Sequence, residues 1–425
     1  MTKGLMRVYL HNAEHIKQEG IFVSNEISPL SKILMHRPDQ GIEKVTPVRA
    51  VELLYEDIVF LPKMQKEHDL FTEAISWFIG TDNVLEVEKL LADVLQKQAV
   101  KEQLLTAVAC HESINEKALA HLNELSPPQL ANALITGIGN KESQFLNPLP
   151  NLIFTRDIGV VMNDHILIAK AAKNARLRES LLCHFIFKYH PEFNSASLID
   201  FLGENLDCKN EYSIEGGDVM MFAENHLLIG HSERTNIQSI EKLKEQLFSK
   251  GVVEMISVVE MPKERSCMHL DTIFTRISKE ICIGFESLVS TRNKMVVQHY
   301  MREKDSPVLF TSLKEMLNAV YGNITIVPCG KGQSPYDERE QWTDGCNLFS
   351  IKEGVAFTYE RNAITNESLR DYGFNIVAIE DLLQDFKEDN IRPENVTQTI
   401  ITLPSSELSR ARGGTHCLTM PLLRI

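Results

Sequence analysis

The sequence lacks the features of a secreted, zinc-binding or membrane-spanning protein. Its eight cysteines are scattered, and no two of them form a C-x-x-C pair. This distribution argues against a disulfide framework or a zinc ribbon, and it favours a reducing, cytoplasmic location. No apolar run approaches the roughly 20 residues of a membrane span. Residues 1–20 carry charged side chains where a signal peptide needs an apolar core. We therefore expect a cytoplasmic protein with no membrane partner.

Positive charge is also scarce relative to negative charge. The 425 residues include 58 aspartates and glutamates against 44 lysines and arginines, which gives a formal net charge of -14. An acidic balance argues against nucleic acid as a partner and favours a cationic ligand. The apolar fraction of 43% and the charged fraction of 24% are typical of a folded globular protein. The length allows one large domain or two to three ordinary ones.

One short phrase recurs in the parts of the chain that are rich in β-branched residues. Most copies read as a polar residue, three apolar residues and then a small or polar break, and they lie at 32–39, 165–172, 226–233, 280–287 and 354–361. Their broadly regular spacing predicts a repeated ββαβ unit stacked into a closed ring or propeller. Residues 71–146 interrupt the series with apolar residues at helical spacing. We expect an inserted all-helical domain at 71–146 and a catalytic α/β domain at 1–70 and 147–425.

Four polar motifs lie within the repeat region. They are Phe154-Thr-Arg-Asp157, Glu215-Gly-Gly-Asp218, His269-Leu-Asp271 and, at the end of the chain, Arg412-Gly-Gly-Thr-His-Cys417. Each motif alone also fits a structural role, such as a surface ion pair, a solvated turn, a polar strand edge or a buried cysteine. Together they suit one chemistry, because carboxylates can hold the five N–H donors of a guanidinium while a thiolate attacks its carbon.

Two histidines compete for the role of base beside Cys417. Side chains on a strand alternate between its faces, so a strand through His269 and Asp271 would point both to one side. An imidazole and a carboxylate on one face suit acid–base catalysis. His416 is adjacent to Cys417 and would face away, so we expect a structural role for it.

The last residues predict a packed strand after Cys417. The apolar tail 418–423 is typical of a closing strand, which would place the cysteine where a loop becomes that strand. The glycines Gly413 and Gly414 would let the backbone approach a ligand closely. Glu215, Asp218, His269, Asp271 and Cys417 match no compact metal motif, so we expect no metal.

Arginines follow two of the repeat strands and precede the cysteine. Arg176, Arg234 and Arg412 would each pass as a surface residue if considered alone. Combined with the acidic motifs, they predict a ligand that carries a cation at one end and a carboxylate at the other.

The four motifs in this order, the helical insert and the terminal cysteine resemble the arginine deiminase family of guanidine-modifying enzymes. The resemblance covers nearly the whole chain. It implies the pentein fold, a five-bladed α/β propeller of ββαβ units with an inserted helical domain. It also implies hydrolysis of free L-arginine to L-citrulline and ammonia without a cofactor. The chain departs from the family pattern at Ala411, where glycine is common, and at 54–57, which more often reads Leu-Phe-Asp-Asp; neither position belongs to the core chemistry.

The resemblance also implies a role for each matching residue. Cys417 would be the nucleophile, forming a covalent thiouronium intermediate, and His269 the general acid and base. Asp157 and Asp271 would chelate the guanidinium with help from Glu215, whereas Asp218 would be structural. The remaining substrate contacts would come from Asn151, Phe154, Arg176, Arg234 and Arg412. A homo-oligomer, either a dimer or a tetramer, is expected.

Three alternative functions remain open at this point. Agmatine deiminase is disfavoured because agmatine has no carboxylate for the arginines to bind. An amidinotransferase would need a site for a second amine, and the sequence indicates none. A catalytically silent arginine-binding protein would not need both Cys417 and His269.

Overall fold

The computed structural model describes residues 20–425 except 56, 113, 139–145, 204, 207 and 208. The N-terminal segment whose charge argues against a signal peptide therefore lies outside the described residues, apart from residue 20, and so does Cys208. The seven described cysteines are free thiols, and six of them are buried. Among the described residues, no helix combines the length and the apolar character needed to cross a membrane.

The described residues form eighteen strands and fourteen helices. The strands are β1 Leu30–Met35, β2 Val84–Glu86, β3 Gly159–Met162, β4 His165–Ile168, β5 Ser197–Asp200, β6 Val219–Ala223, β7 His226–His231, β8 Met255–Glu260, β9 Phe274–Arg276, β10 Ile281–Gly284, β11 Val297–Met301, β12 Val308–Phe310, β13 Thr325–Pro328, β14 Phe349–Lys352, β15 Val355–Tyr359, β16 Asn375–Ala378, β17 Thr399–Leu403 and β18 Met420–Arg424. The helices are α1 Ala50–Leu53, α2 Leu61–Ile79, α3 Val87–Val94, α4 Gln98–Glu112, α5 Glu116–Glu124, α6 Pro127–Thr136, α7 Thr155–Ile158, α8 Leu177–Tyr189, α9 Ile237–Lys250, α10 Glu286–Val289, α11 Leu313–Tyr321, α12 Tyr336–Trp342, α13 Ala363–Asp371 and α14 Ile379–Lys387.

The strands form five sheets that share one pattern. In each sheet, the strand from one copy of the repeated phrase has an antiparallel neighbour on one side and a parallel neighbour on the other. The five triplets are β18-β1-β2, β3-β4-β5, β6-β7-β8, β9-β10-β13 and β14-β15-β17. Helices connect the parallel pairs, because a parallel neighbour requires a crossover connection. The repeated ββαβ unit predicted from the sequence is confirmed.

The C-terminal tail completes the first sheet. Strand β18 pairs antiparallel with β1, with Pro421 opposite Ile33 and Met420 opposite Leu34. Leu422 is fully buried, and the side chain of Arg424 donates to the carbonyl of Ser350 at 2.7 Å. The predicted closing strand is therefore confirmed. It fixes the position of Cys417, which lies three residues before the strand begins.

The segment predicted as a helical insert contains helices α3 to α6, whose apolar faces pack in one core with helix α8. That core includes Leu91, Leu104, Leu134, Leu182 and Phe185. The range 71–146 is not helical throughout, because β2 lies within it and pairs with β1. Helix α2 starts at residue 61 and crosses the predicted boundary.

Candidate active site

Most of the predicted site residues converge on one small pocket. Its free volume is about 20 Å³, which is enough for roughly one water molecule. The pocket is lined by Leu54, Asn151, Phe154, Asp157, Arg176, Arg234, Arg265, Met268, His269, Thr272, Ala411, Arg412 and Cys417. Glu215 and Asp271 are not part of this lining but contact it, Glu215 through His269 and Asp271 through Cys417. The structure therefore brings all ten predicted site residues together.

Each of the five sheets contributes to the site through the segment just before the strand that pairs antiparallel with its copy of the repeated phrase. Asp157 precedes β3, Glu215 precedes β6 and Asp271 precedes β9. Asn347 precedes β14, and Cys417 precedes β18. The repeated unit thus delivers five side chains to one place. The sequence motifs identified four of them and missed Asn347.

The prediction that a strand runs through His269 and Asp271 is wrong. Leu270–Thr272 is a turn of 3-10 helix with His269 as its N-cap, and β9 begins only at Phe274. Phe154–Asp157 is also not a strand end, since it runs from a 3-10 turn into helix α7. These compact turns place polar side chains at the pocket because they end just where the buried strands begin.

The imidazole of His269 lies between two carboxylates. Its Nε2 is 2.9 Å from Glu215 Oε2, and its Nδ1 is 3.5 Å from Asp157 Oδ1. Burial acts to lower the pKa of His269, but Asp157 and Glu215 outweigh burial and raise it to about 9. Gly217 permits this ring position, because a Cβ atom there would lie 2.6 Å from His269 Nδ1. At neutral pH the ring is an imidazolium that can donate a proton.

The thiol of Cys417 contacts Asp271. Its Sγ is 3.6 Å from Asp271 Oδ2, and the cysteine is 4% exposed. Burial and the nearby carboxylates of Asp271 and Asp157 raise the pKa of the Cys417 thiol well above its ordinary value. Burial also acts to raise the pKa of Asp271, but its hydrogen bond to His416 lowers it overall. The resting pair is a neutral thiol beside a carboxylate.

Two carboxylate oxygens of the site have no donor. Asp157 Oδ1 and Asp271 Oδ1 are buried and accept no hydrogen bond from any residue that the structure describes. A buried acceptor without a donor costs roughly 1–3 kcal/mol or more when it is charged. A guanidinium presents paired N–H donors and a positive charge. The arrangement is therefore suited to hold the guanidinium of a ligand beside the thiol.

The predicted arginines already pair within the site. Arg176 Nη1 lies 2.6 Å from Asp157 Oδ2, and its Nε donates to Glu179 Oε2 at 2.9 Å. Arg234 Nη1 lies 3.7 Å from Glu215 Oε1. The guanidinium of Arg412 stacks on Trp342, with Cζ 3.4 Å from the ring centroid.

One group of side chains has the composition of a metal site. Asp157, Glu215 and His269 each offer a ligand atom, and these atoms lie within 4.8 Å of one another. Arg176 Nη1 lies 2.6 Å from Asp157 and 3.6 Å from Glu215. Asp157 and Glu215 thus already have two cationic neighbours, the guanidinium of Arg176 and the imidazolium of His269.

Several other motif residues have structural contacts. His416 Nδ1 is 2.9 Å from Asp271 Oδ2, outside the pocket lining. Asp218 accepts hydrogen bonds from Ser232 Oγ at 2.6 Å and from the backbone of Leu270 at 3.0 Å. Both contacts agree with the structural roles predicted for these two residues.

The prediction that Gly413 and Gly414 make room for a ligand is not supported by their surroundings. A Cβ atom at Gly413 would lie 2.2 Å from the ring of Phe154, and one at Gly414 would lie 2.6 Å from Asn347 Oδ1. The glycines make room for protein side chains instead. Asn347, Glu179 and Glu26 are buried polar residues that no sequence motif indicated.

The chain is similar in sequence to arginine deiminases over most of its length. A family model described as arginine deiminase matches residues 112–424. An arginine deiminase of Bacillus cereus is 32% identical over 437 residues, covering 95% of this chain and 98% of the relative. One from Listeria monocytogenes is 31% identical over 436 residues, covering 96% of this chain and 98% of the relative.

Solved structures with the same fold include two proteins of much lower identity. An amidinotransferase from Microseira wollei has a TM-score of 0.51 at 11% identity, covering 95% of this chain and 97% of that chain. A variant of AgrE in a binary complex with L-arginine has a TM-score of 0.51 at 12% identity, covering 93% of this chain and 40% of that chain. At these identities, the likeness shows a shared α/β fold alone.

Proposed function

The chain belongs to the arginine deiminase family, and we propose that it hydrolyses free L-arginine to L-citrulline and ammonia at the pocket around Cys417. The observation that carries the proposal is the pair of buried oxygens, Asp157 Oδ1 and Asp271 Oδ1, that accept no hydrogen bond from the described residues. One belongs to the carboxylate that faces His269, and the other to the carboxylate that contacts the thiol. A substrate guanidinium held between them would present its central carbon to Cys417.

Substrate binding requires the site to rearrange, because the pocket holds only about 20 Å³. Arg176 pairs with Asp157 at 2.6 Å. We propose that the substrate guanidinium takes over Asp157 and that Arg176 then pairs with the substrate carboxylate. Arg234 and Arg412 line the same pocket and would also bind the substrate carboxylate. Asn151 and Phe154 line the pocket beside them and would contact the rest of the substrate.

The first chemical step is attack by the Cys417 thiolate on the guanidinium carbon. Burial and carboxylates raise the pKa of the free thiol, so a cationic substrate would favour the thiolate by adding positive charge beside it. His269 is already protonated, so the thiol proton would leave to solvent as the substrate binds. The sulfur–carbon bond forms, and the His269 imidazolium donates its proton to one guanidinium nitrogen. That carbon–nitrogen bond breaks, ammonia leaves, and a covalent thiouronium remains on Cys417.

The second step is hydrolysis of this intermediate. His269, now neutral, takes a proton from water as the water oxygen bonds to the same carbon. The added hydroxyl then loses its remaining proton to solvent as the carbon–sulfur bond breaks, which releases citrulline and restores the thiolate. Glu215 Oε2 contacts His269 Nε2 at 2.9 Å and would stabilise the imidazolium each time it forms.

We also propose that the five sheets close into a five-bladed propeller with the pentein architecture. The supporting observations are the shared strand pattern of the sheets and the convergence of their leading segments on one pocket. The helical insert would begin at α3 rather than at residue 71, because β2 belongs to the first sheet. A cytoplasmic location and assembly into a dimer or tetramer complete the proposal.

The test is citrulline release from arginine, agmatine and methylated arginine measured in parallel. We expect turnover of arginine, little turnover of agmatine, and loss of at least about 10⁴-fold in kcat for Cys417→Ala, since covalent catalysis requires the thiolate. Intact-mass measurement of a rapidly quenched reaction should detect the covalent adduct on the wild-type protein. Arginine turnover by Cys417→Ala would overturn the mechanism. Binding of arginine by wild type without turnover would indicate a silent binding protein.

A further inference from the structure

The side chain of Asn347 joins the backbone of the nucleophile to the backbone of Asp271. Its Oδ1 accepts a hydrogen bond from the Cys417 N–H at 3.0 Å, and its Nδ2 donates to the Asp271 carbonyl at 3.0 Å. A backbone N–H can only donate and a carbonyl can only accept, so one amide orientation alone satisfies both bonds. The two bonds fix the backbone of Cys417 relative to the backbone of Asp271.

The backbone of Asn347 adds two more contacts to the same segment. Its carbonyl accepts from the His416 N–H at 3.3 Å and from the Thr415 hydroxyl at 3.2 Å. Asn347 is 1% exposed, so water cannot replace these partners. Gly414 lies directly against the amide, since a Cβ atom there would come within 2.6 Å of Asn347 Oδ1. The second glycine of the terminal motif therefore allows this segment to pack directly on Asn347.

The place of Asn347 in the fold also matches the catalytic residues. It lies just before β14 of the fifth sheet, at the position where the other four sheets carry Asp157, Glu215, Asp271 and Cys417. Its equivalents each present a side chain to the reaction or to His269. Asn347 instead presents its side chain to two of those equivalents.

We propose that Asn347 is a positioning residue that holds the Cys417 sulfur against Asp271. The proposal deepens the proposed function and rests on Cys417 being the nucleophile. Asn347 keeps Cys417 Sγ at 3.6 Å from Asp271 Oδ2, so that one bound guanidinium can meet both groups. Asn347 does not line the pocket. Its removal should therefore lower kcat and leave KM for arginine little changed.

The experiment compares Asn347→Ala and Asn347→Asp with wild type and with a matched control. Asn347→Asp keeps the acceptor for Cys417 but replaces the donor with a carboxylate oxygen that repels the Asp271 carbonyl. The control is Asn210→Ala, because Asn210 also accepts from a backbone N–H, that of Tyr212, and donates to a carbonyl, that of Phe201. Citrulline kinetics, thermal unfolding and alkylation of Cys417 by iodoacetamide are measured for all four proteins.

We expect kcat to fall about 100-fold in both Asn347 variants, with KM within about threefold of wild type. A displacement of about 1 Å at a reacting group is enough for such a loss. Alkylation of Cys417, followed on its peptide by mass spectrometry, should become several-fold faster because the segment loses its anchor. Asn210→Ala should lower the unfolding temperature and leave both kcat and the alkylation rate unchanged.

Folded Asn347 variants that keep kcat and the alkylation rate within about threefold of wild type would overturn the proposal. A fall in kcat that only matches the loss of folded protein would overturn it as well. The alkylation measurement needs no substrate. A wild-type protein without deiminase activity would thus refute the proposed function, while faster alkylation in Asn347→Ala would still support the anchoring role.

Discussion

The pair formed by Cys417 and Asp271 has two buried histidines near it, one on the side of the pocket and one on the opposite, rear side. Each histidine lies between two carboxylates. On the pocket side, His269 lies between Glu215 at 2.9 Å and Asp157 at 3.5 Å. On the rear side, His416 lies between Asp271 at 2.9 Å and Glu26 at 3.3 Å. Both rings are almost completely buried. Of the two, only His269 lines the pocket, so access to the substrate separates a catalytic imidazole from a structural one.

The cations on the two sides differ in how their donors are distributed. On the rear side, Arg156 makes two parallel bonds of 3.2 Å to Glu26. Such a bidentate pair is fixed in geometry. On the pocket side, Arg176 divides its donors among Asp157, Glu179 and the carbonyl of Asn151. A guanidinium that is shared in this way can be exchanged for the guanidinium of a substrate.

The largest expected difference between the two sides is in the effect of removing each histidine. His269→Asn should lower kcat by about 10³-fold, within the usual range for loss of a general acid and base. His416→Asn should lower kcat by roughly tenfold, because it acts on the reaction only through Asp271. Citrulline kinetics and thermal unfolding of both variants test the comparison.

Stability provides the control for this pair. His416→Asn removes the 2.9 Å partner of the buried carboxylate of Asp271. The neighbours of His269 keep Arg176 or Arg234, so we expect a lower unfolding temperature for His416→Asn than for His269→Asn. Equal losses of kcat in the two folded variants would contradict the assignment of roles.

The carboxylates should show the next largest contrast. Asp157→Asn removes the charge that pairs with Arg176 and faces His269, so kcat/KM for arginine should fall about 100-fold. Glu26→Gln keeps the shape of the rear side and leaves the pocket unchanged, so it should lower stability and alter kcat/KM by less than about fivefold. Steady-state kinetics distinguish the two; a larger kinetic loss from Glu26→Gln would show that the rear side takes part in the reaction.

The contact between Trp342 and the pocket residue Arg412 offers a smaller effect, on substrate binding alone. Trp342 stacks on Arg412 at 3.4 Å and is 43% exposed, and a cation–π contact of this kind contributes about 0.5–2 kcal/mol. Trp342→Ala should therefore raise KM by up to about tenfold with kcat unchanged. Trp342→Phe keeps an aromatic face and should restore most of the affinity. A fall in kcat with constant KM in Trp342→Ala would contradict this role.

The sequence predicts the pocket side better than the rear side, for a physical reason. Cys417, His269 and the acids form short motifs because each precedes a buried strand, and the repeated phrase marks the strand that pairs antiparallel with it. Glu26, Asn347 and Trp342 act through contacts between segments distant in sequence, as in the 3.3 Å contact of Glu26 with His416. No local pattern marks such contacts. The turn at Leu270–Thr272 is also hidden in the sequence, since residues 268–271 alternate between apolar and polar as in a strand.

The smallest expected effect is a dependence of stability on pH that arises from the pocket side. The pKa of His269 is raised from 6.5 to about 9 in the folded protein. Its stabilising contribution is therefore complete below pH 6.5 and is lost as the pH rises toward 9. The difference in unfolding temperature between wild type and His269→Asn should shrink over that interval, by a few degrees at most.

His36 supplies the matched control for this last measurement. It is buried between Glu86 and Asp39, which outweigh the effect of burial and raise its pKa to about 10. It does not line the pocket. The difference in unfolding temperature between wild type and His36→Asn should shrink in the same way, over an interval that extends toward pH 10. The kcat for arginine should stay unchanged. A constant gap between wild type and His269→Asn from pH 6.5 to 9 would mean that the pocket imidazole does not carry the proton on which leaving-group protonation depends.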